Sequence, residues 1–171
     1  TQFKDKAGKN KENVSVVIVS GNGRAFTAGF DLREFTNPDS TGKDGAALGR
    51  EMAEAVDRMK PVTIASLHGH CIGGGVVLAS ACDIRIASEN TIFSIPEVDL
   101  GIPLAWGGIP RLVREIGPAM TKELVMTCRP FDSEEAKSLG FINQVVKDAD
   151  LESQTMKMAE AIRKRPQTVI E

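Results

Sequence analysis

Two places along this chain combine residue types that chemistry needs. The first is Gly73-Gly74-Gly75, which follows an apolar, strand-like run and precedes a short apolar helix. Glycine lets other atoms approach the backbone where a side chain would block them, and the first amides of a helix have no internal partner. A carbonyl oxygen set there would meet amide hydrogens and the positive end of the helix dipole. The same glycines would equally serve a tight turn with close helix–strand packing. The second place is Glu97, set between Pro96 and a largely apolar stretch, 98–105, interrupted by Asp99. A partly desolvated carboxylate on a rigid loop has a raised pKa and can act as a base or an acid. Capping or salt bridging is the plain alternative, and Asp99 competes for either role. Local pattern thus reaches a carbonyl-binding site with an acid–base carboxylate, and stops there.

Other motifs fail on inspection. Gly21-Asn22-Gly23-Arg24-Ala25-Phe26 begins like a dinucleotide fingerprint but carries Phe where the third glycine belongs, and no helix follows it. There is no GK[ST] phosphate loop and no G-x-S-x-G elbow. His68 and His70, beside Cys71, would point the same way in an extended segment, but no further ligand spacing supports them, and no metal site is expected.

Composition bounds the remainder. The chain has 171 residues, 42% hydrophobic and 26% charged, which suits one globular domain. A net charge of -2 leaves no electrostatic footprint for nucleic acid or an anionic membrane. One Trp and no Tyr argue against stacking platforms for single strands. Cys71, Cys82 and Cys128 are too few and scattered for a disulfide framework and read as buried, reduced thiols. The apolar run 14–19 is too short to span a membrane, and the polar segment 1–13 lacks a secretion signal. The expectation is a cytoplasmic protein, with an organelle matrix also open.

The elements that must position the two candidate places alternate between strand and helix. Residues 1–13 read as a flexible lead-in. Strands are expected at 14–20, 62–67, 83–87, 91–94 and 141–146 from their short apolar, β-branched runs. Leu48, Met52, Val56 and Met59 recur at helical spacing before Pro61, and 76–81 reads as a short apolar helix. Residues 96–103 form an irregular, rigid connection. The chain is helical from Trp106, with turns at Gly117-Pro118 and Arg129-Pro130, and again over 133–139 up to Gly140. A last amphipathic helix carries Leu151, Thr155, Met158 and Ile162 on one stripe. The class is α/β, and glycine-bearing strand-to-helix turns are the places for a site.

Taken together, these segments resemble the crotonase, or enoyl-CoA hydratase/isomerase, family. The matching stretches are 23–32 (GRAFTAGFDL), 69–75 (GHCIGGG), 81–87 (ACDIRIA) and 96–101 (PEVDLG), followed by Gly107-Gly108, Arg111-Leu112, Ile116-Gly117, Glu135-Ala136 and Leu139-Gly140. The resemblance implies a crotonase-like spiral of ββα units with a buried β-core and surrounding helices. It implies a core over 14–147, with 148–171 opening a C-terminal helical region, and a chain short at both ends beside a typical member. It also implies assembly into trimers or pairs of trimers. A coenzyme A thioester is implied as substrate, with no tightly bound cofactor.

The resemblance further assigns an oxyanion hole to the backbone amides of Phe30 and Gly74, and the acid–base role to Glu97. Hydratases of the family use two glutamates, but the position of the first is Val77 here. The dienoyl-CoA isomerase branch would want aspartates at Val77 and Ala105, and both are absent. A single glutamate in the Glu97 position resembles the Δ3,Δ2-enoyl-CoA isomerases, making a double-bond shift the leading expectation. Hydration of a 2-enoyl-CoA, another acyl-CoA reaction, or a non-catalytic acyl-CoA binder are the alternatives. Val77, Leu104 and Trp106 are expected to line the acyl pocket, and Arg24 and Arg33 are the candidates for the coenzyme A phosphates.

Overall fold

The β-branched run Val16–Ser20 forms strand β1, and the almost uninterrupted apolar run Val62–Leu67 forms β2 beside it. The two pair in parallel, Val16 opposite Val62 through Ser20 opposite Ser66. Parallel strands are covered on both faces, which is why β2 has no polar alternation and is buried from Thr63 to Leu67. The computed structural model describes residues 14–29, 31, 42–166 and 169. The expected lead-in at 1–13, Phe30 and Arg33 lie outside the described residues.

In the first three turns of the chain a strand of this sheet is followed by a short strand or bridge of a second layer and then by a helix. After β1, Thr27 makes a parallel bridge to Cys71, and helix α1 spans Gly42–Asp57. After β2 come β3, His70–Ile72, and helix α2, Gly74–Ser80. β4, Ile84–Ser88, and β5, Ile92–Ser94, lead into helix α3, Gly108–Thr127. β6, Phe131–Asp132, and helix α4, Ser133–Ser138, precede β7, Gln144–Val146, and helix α5, Leu151–Arg163. The larger sheet has the order β1-β2-β4-β7, all parallel, and the smaller one β3-β5-β6. The first three turns make the spiral of ββα units, whereas β6 and α4 come before β7, which runs on to α5 without a short strand after it.

The main core lies between the two sheets, α1, α2 and α3, with Phe93 stacked on Phe131 at 5.3 Å and edge-on to Phe141 at 6.0 Å. α5 covers the opposite face of the larger sheet through Leu151 and Ala159 against Ile64 and Ile86. The three cysteines are free and buried, and burial pushes the Cys82 thiol up to about 12. Among the described residues no helix is long and apolar enough to cross a membrane.

Several expected boundaries shift for identifiable reasons. Leu48 is 64% exposed, whereas Met52, Val56 and Met59 of the expected stripe pack on the core beside Gly49 and Ala53. α2 starts two residues earlier than its apolar run, at Gly74. Phe141 and Ile142 are buried but not in a strand, because their amides donate back to the Ala136 carbonyl at 2.9 and 3.2 Å, leaving β7 to start at Gln144. The expected turn at Gly117 is a kink inside α3, where Gly117 adopts φ 76° ahead of Pro118.

One buried charge ties the spiral together. Arg85, on β4, donates to the Cys82 carbonyl at 2.7 Å, to the Phe141 carbonyl, and to Glu115 of α3. Burial pulls its guanidinium below the ordinary range, and Glu115 opposes that pull. Removing one partner of such a pair leaves the other charge without compensation. Arg85→Ala is therefore expected to cost about 3–5 kcal/mol, read as a lower urea midpoint with an unchanged slope.

Candidate active site

β3 and β5 run side by side, Cys71 opposite Phe93 and Ile72 opposite Ser94, and this register decides what meets at their ends. The Gly73 amide donates to the Ser94 carbonyl at 2.8 Å, pinning the glycine turn to the end of β5. Two residues further, Pro96 begins a turn that winds back on itself. Leu100 N–H donates to the carbonyls of Pro96 and Glu97, and Ile102 N–H to that of Glu97 at 3.0 Å. Glu97 is thus held on a short, internally bonded coil, as the rigid connection expected at 96–103.

The three consecutive glycines each admit a different neighbour. Gly73 sits at φ 53°, ψ -114°, a conformation that requires glycine, and a β-carbon there would strike the Glu97 carboxyl oxygen Oε1. A β-carbon on Gly74 would enter the indole of Trp106, and one on Gly75 would strike the Thr27 methyl. Of the two uses of glycine anticipated from the pattern, close packing is the one these contacts show. The first amides of α2 point out of its N-terminal end. Among the described residues, no backbone carbonyl outside the helix accepts from Gly74 N–H.

Glu97 is unlike the other carboxylates of the structure. Its Oε2 is buried and has no hydrogen-bond partner among the described residues, and no ion pair there includes it. Desolvation raises its pKa, opposed by a bond from its own backbone. Asp99, the competing carboxylate, is exposed.

Trp106 is half-buried with φ 59°, and its ring lies between Gly74 and Gly49, so that a β-carbon at either position would overlap it. Val77 is fully buried and Leu104 is 9% exposed; together they fill the space where a side chain on Gly108 would go. Neither Val77 nor Leu104 opens onto solvent in this structure, in contrast to Trp106. Arg24 is exposed and lines a cleft of about 900 Å³ together with Asn22, Phe26, Thr27 and His70. Thr27, touching Gly75, joins this cleft to the glycine turn. His68 and His70 diverge: His68 Nε2 lies 3.1 Å from the Gly23 carbonyl, whereas His70 is exposed in the cleft.

Sequence reasoning missed Gly49 and gave Arg111 no role. Arg111 spans from the Gly107 carbonyl to Asp57 of α1, 3.4 Å from each. The signal for Arg111 was its place after Gly107-Gly108; Gly49 left none, because a glycine adds nothing to a hydrophobic stripe.

The sequence profile of the enoyl-CoA hydratase/isomerase family matches residues 6–171. The chain belongs to this family. A peroxisomal Δ(3,5)-Δ(2,4)-dienoyl-CoA isomerase from Arabidopsis thaliana is 37% identical over 164 residues, covering 88% of this chain and 59% of the relative. The crystal structure of an enoyl-CoA hydratase from Bacillus anthracis superposes with a TM-score of 0.88 at 34% identity, covering 92% of this chain and 62% of that one. A Thermobifida fusca relative solved in complex with CoA superposes with a TM-score of 0.84 at 31% identity, covering 91% and 64%. The chain thus spans about three fifths of the length of these family members.

The electrostatics of Glu97 give a test independent of catalysis. A carboxyl whose folded pKa is raised stabilises the fold while it holds its proton, and that stability is lost as pH rises through the folded pKa. Glu97→Gln is therefore expected to melt higher than the parent protein at neutral pH. The gap should close as pH falls and Glu97 takes up its proton, measured by thermal denaturation across a pH series. A gap that is the same at every pH would mean that the charge is already compensated.

Proposed function

We propose that this protein shifts the double bond of a 3-enoyl-CoA into the 2-enoyl position, with Glu97 as the only acid–base group. What supports the reading is the placement of a desolvated carboxyl, its Oε2 without a hydrogen-bond partner among the described residues, directly against Gly73, one residue from the Gly74 amide. In this reading the thioester oxygen accepts from the amides of Gly74 and Phe30. Glu97 removes a proton from C2, and the electron pair moves into the carbonyl to form an enolate held by those donors. The protonated Glu97 then delivers the same proton to C4, and the enolate collapses to the conjugated thioester. No atom is gained or lost and no water takes part.

Val77 favours this over hydration. Hydration needs a second group to orient and deprotonate water, and a fully buried valine stands where hydratases of the family carry it. Dienoyl isomerisation, the reaction named for the Arabidopsis relative, lacks its aspartates at Val77 and Ala105. The cleft bearing Arg24 would receive the coenzyme A portion, and Arg24 and Arg33 are the candidates for its phosphates. Family resemblance also leads us to expect trimers or pairs of trimers in the full-length protein.

The reading is tested with full-length protein and both 3-enoyl-CoA and 2-enoyl-CoA, followed spectroscopically. We expect conversion of the 3-enoyl thioester, poor hydration of the 2-enoyl one, and a loss of roughly 10²–10⁴-fold in Glu97→Gln. The rate should rise with pH through the raised pKa of Glu97, because the base must be ionised to take the C2 proton. Strong hydration would instead assign a hydratase in which another group activates water. Binding without either reaction would assign a different acyl-CoA substrate or a non-catalytic binder.

A further inference from the structure

We propose that Trp106 is a fixed gauge that restricts the site to short acyl chains. The inference rests on the acyl-CoA reading above and adds the chain-length class of the substrate. Gly73 touches the Glu97 carboxyl and Gly74 touches the benzo edge of Trp106 through its Cζ3 and Cη2 atoms. Consecutive Cα atoms are about 3.8 Å apart, so the carboxyl and the indole occupy neighbouring positions over one turn. A chain whose C2 and C4 both reach Glu97 has its next carbons directed at the ring.

Three features keep the ring from moving aside. Its pyrrole side, Nε1 and Cε2, is seated against the backbone of Gly49 on α1, where a β-carbon would overlap it. Its own backbone is left-handed at φ 59° and is followed by Gly107 at φ 71°, so the turn that presents it is tightly defined. Arg111 then ties the Gly107 carbonyl to Asp57, joining that turn to the helix carrying Gly49. The ring therefore fills the space between α1 and α2 that a longer acyl chain would need.

Trp106 is the only Trp in these 171 residues, so the part of the emission that Trp106→Ala removes reports on this position. The experiment titrates full-length protein with free CoA and with butanoyl-, hexanoyl-, octanoyl- and decanoyl-CoA. Binding is read by calorimetry and in parallel by indole emission. We expect butanoyl-CoA to bind roughly tenfold or more tightly than decanoyl-CoA, the reverse of what added apolar surface alone would give. Emission should change with acyl-CoA and not with free CoA. Trp106→Ala should remove or invert the preference. Decanoyl-CoA binding as tightly as butanoyl-CoA in the parent protein overturns the gauge, as does saturable acyl-CoA binding that leaves the emission unchanged. If no acyl-CoA of any length binds, the acyl-CoA reading itself fails and takes the gauge with it.

Discussion

The site depends on close approach at one strand-to-helix turn. Where β3 ends, the backbone of Gly73, Gly74 and Gly75 comes into contact with a carboxyl, an indole and a threonine methyl carried by three other segments. A single carbon atom added to any of these glycines would force the neighbouring group to shift. The hydrogen bond from Gly73 to Ser94 closes the arrangement by fixing the turn to β5, the strand whose continuation carries Glu97. The spiral brings these segments together because each turn lays its short strand beside that of the turn before.

Two charged groups illustrate how differently the fold treats burial. Arg85 is 4% exposed and is surrounded by carbonyl oxygens and Glu115, so its desolvation is offset by several charge-assisted bonds. Such a group holds elements in place and has no freedom to exchange a proton. Glu97 is partly buried with one oxygen lacking any partner among the described residues. Desolvation penalises its ionised form and only a bond from its own backbone opposes that, so its pKa is raised, as suits a carboxyl that both accepts and returns a proton. A third group, Arg111, lies between these extremes: it reaches a backbone carbonyl and Asp57, with its Nε buried and unpaired.

Most strands were legible because a run buried on both faces has no polar interruption, as in Val62–Leu67. The same signal misled at Phe141 and Ile142, since apolarity reports burial and not backbone conformation; the bonds to Ala136 settle that. The helical stripe missed only at Leu48: Met52, Val56 and Met59 pack on the core, whereas Leu48 is exposed and its neighbour Gly49 is buried. A period of 3.6 residues tolerates a small rotation, and the residue that is actually buried there, Gly49, has no side chain to register in such a pattern. Gly49 is buried because Trp106 lies on it, a contact between segments far apart in the chain.

The sequence alone determined the residue types available for chemistry: a triple glycine before an apolar helix and a glutamate on a proline-flanked turn. The longer stretches around them carried the family resemblance and the fold class, and the resemblance in turn implied that Val77 stands where hydratases of the family carry a second carboxylate. Only the tertiary structure decided that Glu97 lies against Gly73, that its Oε2 has no hydrogen-bond partner among the described residues, and that Trp106 closes over Gly74 from a seat on α1. The physical reason is that desolvation and contact belong to the packing of several segments at once. The parallel register of β3 with β5 sets that packing, and no single stretch of the chain contains it.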